Sequence, residues 1–137
     1  MAPTVTTGRQ HDGAAIVREA FGSIFRGETA PFEQHPGLQQ LRAAFPPMLA
    51  AFPDFSAELV QQVVGDDRVA SHWIFRGTHR GELYGIRPTG KQVQFQNLSI
   101  CRVEGGNIVQ YNSEIGWIAL LKQIDAWPPS PAKRSPA

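Results

Sequence analysis

The stretch DRVASHWIFRGTHRGELYGIRPTGKQVQF, Asp67 to Phe95, decides the fold. From Arg68 to Thr78 apolar and polar residues alternate at strand spacing. Trp73 and Phe75 fall on one side of that strand and His72 and Arg76 on the other, and the large rings are assigned to the core. The Gly85 to Gly90 loop then interrupts the chain, and strand spacing resumes at Lys91 and runs to Val103. Working outward, two more runs flank this pair, Ala57 to Val64 and Asn107 to Glu114. They are reached through Gly65-Asp66-Asp67 and Gly105-Gly106-Asn107. Strands joined this tightly are antiparallel. The N-terminal half changes period. Ile16, Ala20, Phe21, Ile24 and Phe25 recur at helical spacing between Gly13 and about Arg26, with Asp12 placed as N-cap and Gly27 as stop. A second helix is predicted from Pro36 to Phe52, carrying Leu38, Leu41, Phe45, Met48, Leu49 and Phe52, with a break at Pro46-Pro47. Gly116 to Ile124 reads as a closing helix. Helices first and a meander of strands after them give an α+β domain with the helices on one face of a curved sheet.

Composition narrows the function classes. A chain of 137 residues suits one core, and 42% hydrophobic with 18% charged residues describes a globular domain. Residues 1–12 are polar and aperiodic, and 127–137 are rich in Pro, Ser and Ala. Both ends are expected to be mobile, leaving 13–126 as the domain. A net charge of +1 lacks the basic footprint of phosphate binding, so nucleic acid is not an expected partner. Cys101 is the lone cysteine and the N-terminus does not read as a signal peptide, which points to the cytoplasm. No apolar run reaches the roughly 18 to 20 residues of a membrane span.

Three stretches carry a family resemblance: AFPDF (Ala51 to Phe55), the Asp67 to Phe95 segment with its RGTHRGE and Gly-Ile-x-Pro-Thr-Gly-Lys signatures, and CRVEGGNIVQ (Cys101 to Gln110). They resemble SnoaL-like polyketide cyclases of the nuclear-transport-factor-two-like superfamily. The resemblance implies a cone-shaped fold, a curved antiparallel sheet packed on N-terminal helices around one pocket. It also implies a small apolar or aromatic metabolite as ligand. Two departures bear on activity. Only ETAPFEQH (Glu28 to His35) separates the first helix from the Pro-Gly start of the second, where the family has a further helix and a short strand. A more open pocket is therefore expected from the shortened segment 27–36. In the last strand the family acid falls at Gly116.

Counted from Ile108, alternation puts Gln110, Asn112 and Glu114 on one face, and the resemblance turns that face inward. Glu114 then supplies a carboxylate whose pKa an apolar pocket would raise toward the range useful for proton transfer. Asn112 and Tyr84, the latter placed near the cavity mouth by the resemblance, act as polarising donors. Trp73, Phe75, Gln110, Phe21 and Phe25 form the substrate-binding wall. His11, His35, His72 and His79 contain no close-spaced ligand pair, so no metal is expected, and His79 reads as a structural hydrogen-bonding residue. No phosphate loop or dinucleotide fingerprint occurs, so no cofactor is expected either. The reading is a cofactor-independent cyclase or isomerase of a polyketide-like or other secondary metabolite. The alternatives are an epoxide-opening cyclase or hydrolase, and a non-catalytic small-molecule binding or interaction module. The mixed outer face around His72, Ile74 and Arg76 predicts a homodimer.

Overall fold

The computed structural model describes residues 4–7, as backbone, and 13–129. Four antiparallel strands, β2 (Ser56–Val64), β3 (Arg68–Thr78), β4 (Gln92–Glu104) and β5 (Asn107–Ile115), lie in sequence order, and β1 (Thr4–Thr7) adds a short parallel edge against β2. That strand corrects the expectation of a mobile N-terminus over Thr4–Thr7. The Asp12 cap and the tail beyond residue 129 lie outside the described residues. The two-residue Gly105-Gly106 loop between β4 and β5 has positive φ at both positions, the conformation that tight hairpins demand and glycine adopts without strain.

Helix α1 (Gly13–Phe25) buries Val17, Ala20, Phe21 and Ile24, one stripe at helical spacing, against the inner face of the sheet. It ends in a Schellman motif: Gly27 at positive φ donates to the Ile24 carbonyl, and the Glu28 N–H reaches back to Ser23. The predicted second long helix is instead several short turns. These follow a further short helix, α2 (Ala30–Gln34), and are a 3-10 turn at Pro36–Leu38, α3 (Leu41–Ala44) and α4 (Pro46–Ala51). Proline explains the fragmentation: Pro31, Pro36 and Pro46 each sit in the first turn of a helical piece, where the missing N–H costs nothing, and Pro36 and Pro46 also prevent the preceding piece from continuing. The pieces bury Phe32, Leu38, Phe45 and Met48. The segment read as a shortened linker is thus a packed wall, and α2 was missed there. Helix α5 (Trp117–Gln123) closes the chain over β4.

The AFPDF stretch has a structural task. The Asp54 carboxylate accepts the Thr78 N–H and hydroxyl at 2.7 Å each, pinning the start of β2 to the end of β3. These hydrogen bonds hold the Asp54 pKa below the usual carboxylate range.

Strand parity positions everything else. On β3 the buried side is Val69, Ser71, Trp73 and Phe75; on β4 it is Val93, Phe95, Asn97, Ser99 and Cys101. On β5 the register shifts: Arg102 pairs with Gln110 but Val103 with Ile108, leaving Val109 as a bulge. One extra residue inverts alternation beyond it, so Tyr111, Ser113 and Ile115 turn inward, and Gln110, Asn112 and Glu114 turn outward. The bulge is clamped from the other side of the core. His35 Nδ1 accepts the Ile108 N–H at 3.0 Å, and Gln40 donates to the Tyr111 carbonyl at 3.3 Å. Gly37 lies so close to Val109 and Gln110 that a Cβ there would come within 2.5 Å of their backbone.

Candidate functional site

Between the inner face of the sheet and α1, α3 and the start of α4 lies a cavity lined by Phe21, Ile24, Phe25, Leu41, Phe45 and Phe75, with Asn97, Tyr111 and Ser113 at its polar end. Each wall residue follows from local patterning. Phe21 and Ile24 belong to the apolar stripe of α1, Phe75 to the inner row of β3, and Phe45 to the cap of α4. The rings interlock. Phe25 meets Trp73 edge-on at 4.9 Å and Phe75 at 5.2 Å between centroids, and contacts Phe45 at 5.4 Å. Such edge-to-face arrangements are favoured by the ring quadrupoles. The free volume is about 40 Å³, room for a few waters and far short of the roughly 300 Å³ of a typical ligand pocket. The expectation of a more open pocket is corrected: α2 and the Pro36 turn stand where a gap was foreseen.

At the polar end, Tyr111 is buried, and burial pushes its phenol pKa up; hydrogen bonds with Ser113 and Asn97 oppose the rise. The phenol therefore stays protonated across the neutral range and serves as a hydrogen-bond donor. Among the described residues, no carboxylate and no histidine lines this cavity.

The residues expected to form one site fall in three places. Phe21, Phe25 and Phe75 line the cavity, and Trp73 backs it through Phe25. Gln110, Asn112 and Glu114 are exposed on the opposite face of the sheet, because the Val109 bulge reverses the register counted from Ile108. Their expected inward orientation is corrected accordingly. Asn112 and Glu114 line an apolar outer groove of about 460 Å³ with Val63, Ala70, His72, Leu98 and Ile100. Tyr84 is 63% exposed and packs edge-on against Trp117 at 5.9 Å. It borders a separate groove between the Gly85 loop and α5, not the inner cavity. Gly116 caps the start of α5, and its N–H donates to the Gln96 carbonyl.

The residues missed were Asn97, Tyr111 and Ser113. The stretch Gln110 to Ile115 carries its own signal: Tyr111 and Ile115 are its large apolar members, four apart, with Ser113 between them. Read alone, it puts these three inward. The histidines are structural where they are buried. His79 Nδ1 accepts the Thr89 N–H at 3.2 Å and so holds the Gly85 to Gly90 loop, while His35 clamps the bulge. Burial lowers the pKa of both.

Comparison with known proteins fits this architecture. The solved structure of AclR from Streptomyces galilaeus, assigned as a hydroxylase, is similar over 88% of this chain and 85% of its own, with 23% identity and a TM-score of 0.77. TsrD from Streptomyces laurentii aligns over 86% of this chain and 98% of its own, at 22% identity and a TM-score of 0.73. IdmH from Streptomyces antibioticus, assigned as a polyketide cyclase, aligns over 84% and 99%, at 22% identity and a TM-score of 0.70. At this identity the likeness establishes the fold. No curated protein sequence matches the chain significantly. The family model described as SnoaL-like polyketide cyclase matches residues 6–124, which takes in α1, the clamp at His35, the whole antiparallel sheet and α5. The chain therefore belongs to the SnoaL-like polyketide cyclase family.

Proposed function

We propose that this protein is a cofactor-independent cyclase or isomerase of a small apolar, carbonyl-bearing metabolite, working through the Asn97, Tyr111 and Ser113 cluster. One observation carries the reading: three hydrogen-bonding side chains converge at one end of a cavity otherwise walled by aromatic rings. A carbonyl oxygen seated on Tyr111 receives a hydrogen bond in a water-poor site, where a preorganised donor stabilises negative charge developing on that oxygen. The same interaction makes the neighbouring C–H more acidic: its proton passes to a water molecule admitted with the ligand, and the electron pair of the C–H bond moves onto the carbonyl oxygen held by Tyr111, giving the enolate from which ring closure or isomerisation proceeds. Family membership supports this class of chemistry. The ligand would need half-buried Phe25 to shift, since the cavity as it stands is too small.

The test uses acetophenone in D₂O, following methyl proton exchange by NMR. The protein should accelerate exchange, and Tyr111→Phe should lower the acceleration by about 10²-fold, the effect of losing one oxyanion-type donor. Wild-type acceleration in Tyr111→Phe overturns the assignment. A second reading, a non-catalytic binding module, is favoured by the lack of a carboxylate among the described residues lining the cavity. Acetophenone that binds without faster exchange would select it.

The outer face supports a further part of the proposal, association of two copies. Val63, Leu98 and Ile100 are 49%, 54% and 52% exposed, and pairing puts Val63, Ala70 and Ile100 in one row across three strands. Contiguous exposed apolar surface of this kind is what a self-complementary interface covers. Glu114 and Asn112 then belong to the rim of that interface. Light scattering showing a monomer at micromolar concentration would remove this part.

A further inference from the structure

Among the described residues four buried side-chain polar atoms have no hydrogen-bond partner; apart from His79 Nε2 and Arg102 Nε, these are two neighbours on the inner face of the sheet, the indole Nε1 of Trp73 and the hydroxyl of Ser99. Both residues are nearly sealed, at 5% and 4% exposure. A buried donor left unpaired costs free energy, so such atoms are few in native proteins and each calls for an explanation. Their position supplies one. Trp73 pairs directly with Asn97 across β3 and β4, and Ser99 lies two residues further along β4 on the same inner face. Ser99 in turn pairs with Ser113 on β5. The two orphans therefore border Asn97 and Ser113, the residues that form the polar end of the cavity. Phe25 is the cavity-lining ring that touches the indole.

We infer that Trp73 Nε1 and Ser99 Oγ form a second hydrogen-bonding subsite, filled when a ligand displaces Phe25. This rests on the cavity reading above and deepens it. The ligand class is an aromatic molecule with two oxygen acceptors on one edge, one on Tyr111 and its neighbours, the other on Trp73 and Ser99. The indole is the selective element, because it donates only and accepts nothing. Ser99 adapts, donating to the same oxygen.

The test compares acetophenone, with one carbonyl, and benzoylacetone, with two, by ¹H–¹⁵N NMR on the full chain. The indole N–H signal of Trp73, assigned by its loss in Trp73→Phe, should move downfield with benzoylacetone, as a new hydrogen bond requires, and show no such downfield shift with acetophenone, which affects it only by moving the Phe25 ring. Trp73→Phe and Ser99→Ala should each weaken benzoylacetone about three- to tenfold, the usual worth of one neutral hydrogen bond, and leave acetophenone within twofold. Ser99→Ala keeps the test open if the tryptophan variant fails to fold. An indole signal indifferent to bound benzoylacetone overturns the subsite, as does equal weakening of both ligands. In either case acetophenone binding that depends on Tyr111 leaves the cavity reading standing. If neither ketone shifts any cavity resonance, both readings fall together.

Discussion

The two faces of one sheet differ in composition and also in what surrounds them. The outer face carries Glu114, Asn112 and His72, which as a set look like acid–base machinery. The inner face carries Asn97, Tyr111 and Ser113, which do not. Yet Glu114 is exposed on the outer face, where water competes with any ligand for its carboxylate. Tyr111 has given up its water, so its single donor can act on a ligand at low local dielectric. Chemical type nominates residues, while strand parity decides which of them meet a ligand. Here parity hangs on the one extra residue at Val109.

Several changes would break or sharpen that comparison. The largest effect is expected from the packed side: Phe75→Ala empties the centre of the ring cluster and should cost about 3–5 kcal/mol, whereas Leu98→Ala on the outer face should stay within about 0.5 kcal/mol. Urea unfolding of the two variants checks the contrast. Next comes the clamp. Gly37→Ala drives a methyl into the β5 backbone and should cost about 1–3 kcal/mol, with disturbed amide signals concentrated at Ile108 to Tyr111.

Acid should loosen the same clamp. Burial keeps His35 neutral in the folded chain, while in the unfolded chain it protonates near 6.5, so the unfolded state binds the extra proton. Stability should fall as pH drops below about 6.5 toward the lowered folded pKa. His79, lowered in the same direction, adds to the slope. The urea midpoint of the wild type should decline between pH 8 and pH 5, and His35→Gln should show a smaller decline from a lower start. The smallest change in folding stability is expected at Ile100→Lys, within about 0.5 kcal/mol, but it should turn a dimer into a monomer in light scattering.

The strands were legible because β-branched and aromatic residues alternate cleanly between glycine-rich turns. Arg68 to Thr78 was read to the residue, and α1 to within one. The SnoaL-like family was legible from AFPDF and the RGTHRGE segment. The site was half legible. Phe21, Phe25 and Phe75 show their burial through periodicity, but the face of Gln110 to Glu114 was counted from Ile108, across a bulge that alternation cannot reveal. What determines the bulge lies some seventy residues upstream in His35 and Gly37, a tertiary contact with no local signature. The same segment hid α2, because two prolines within six residues suggest a linker when no partner is in view.

A paired titration tests most directly whether the inner face holds the site. Acetophenone should be added to ¹⁵N-labelled Tyr111→Phe and Glu114→Gln proteins and its dissociation constant compared with the wild type. The inner-face variant should bind about three- to tenfold more weakly, the loss of one hydrogen bond, and the outer-face variant within twofold of the wild type. Unchanged affinity in Tyr111→Phe together with weakened binding in Glu114→Gln would contradict that placement and return the site to the outer face.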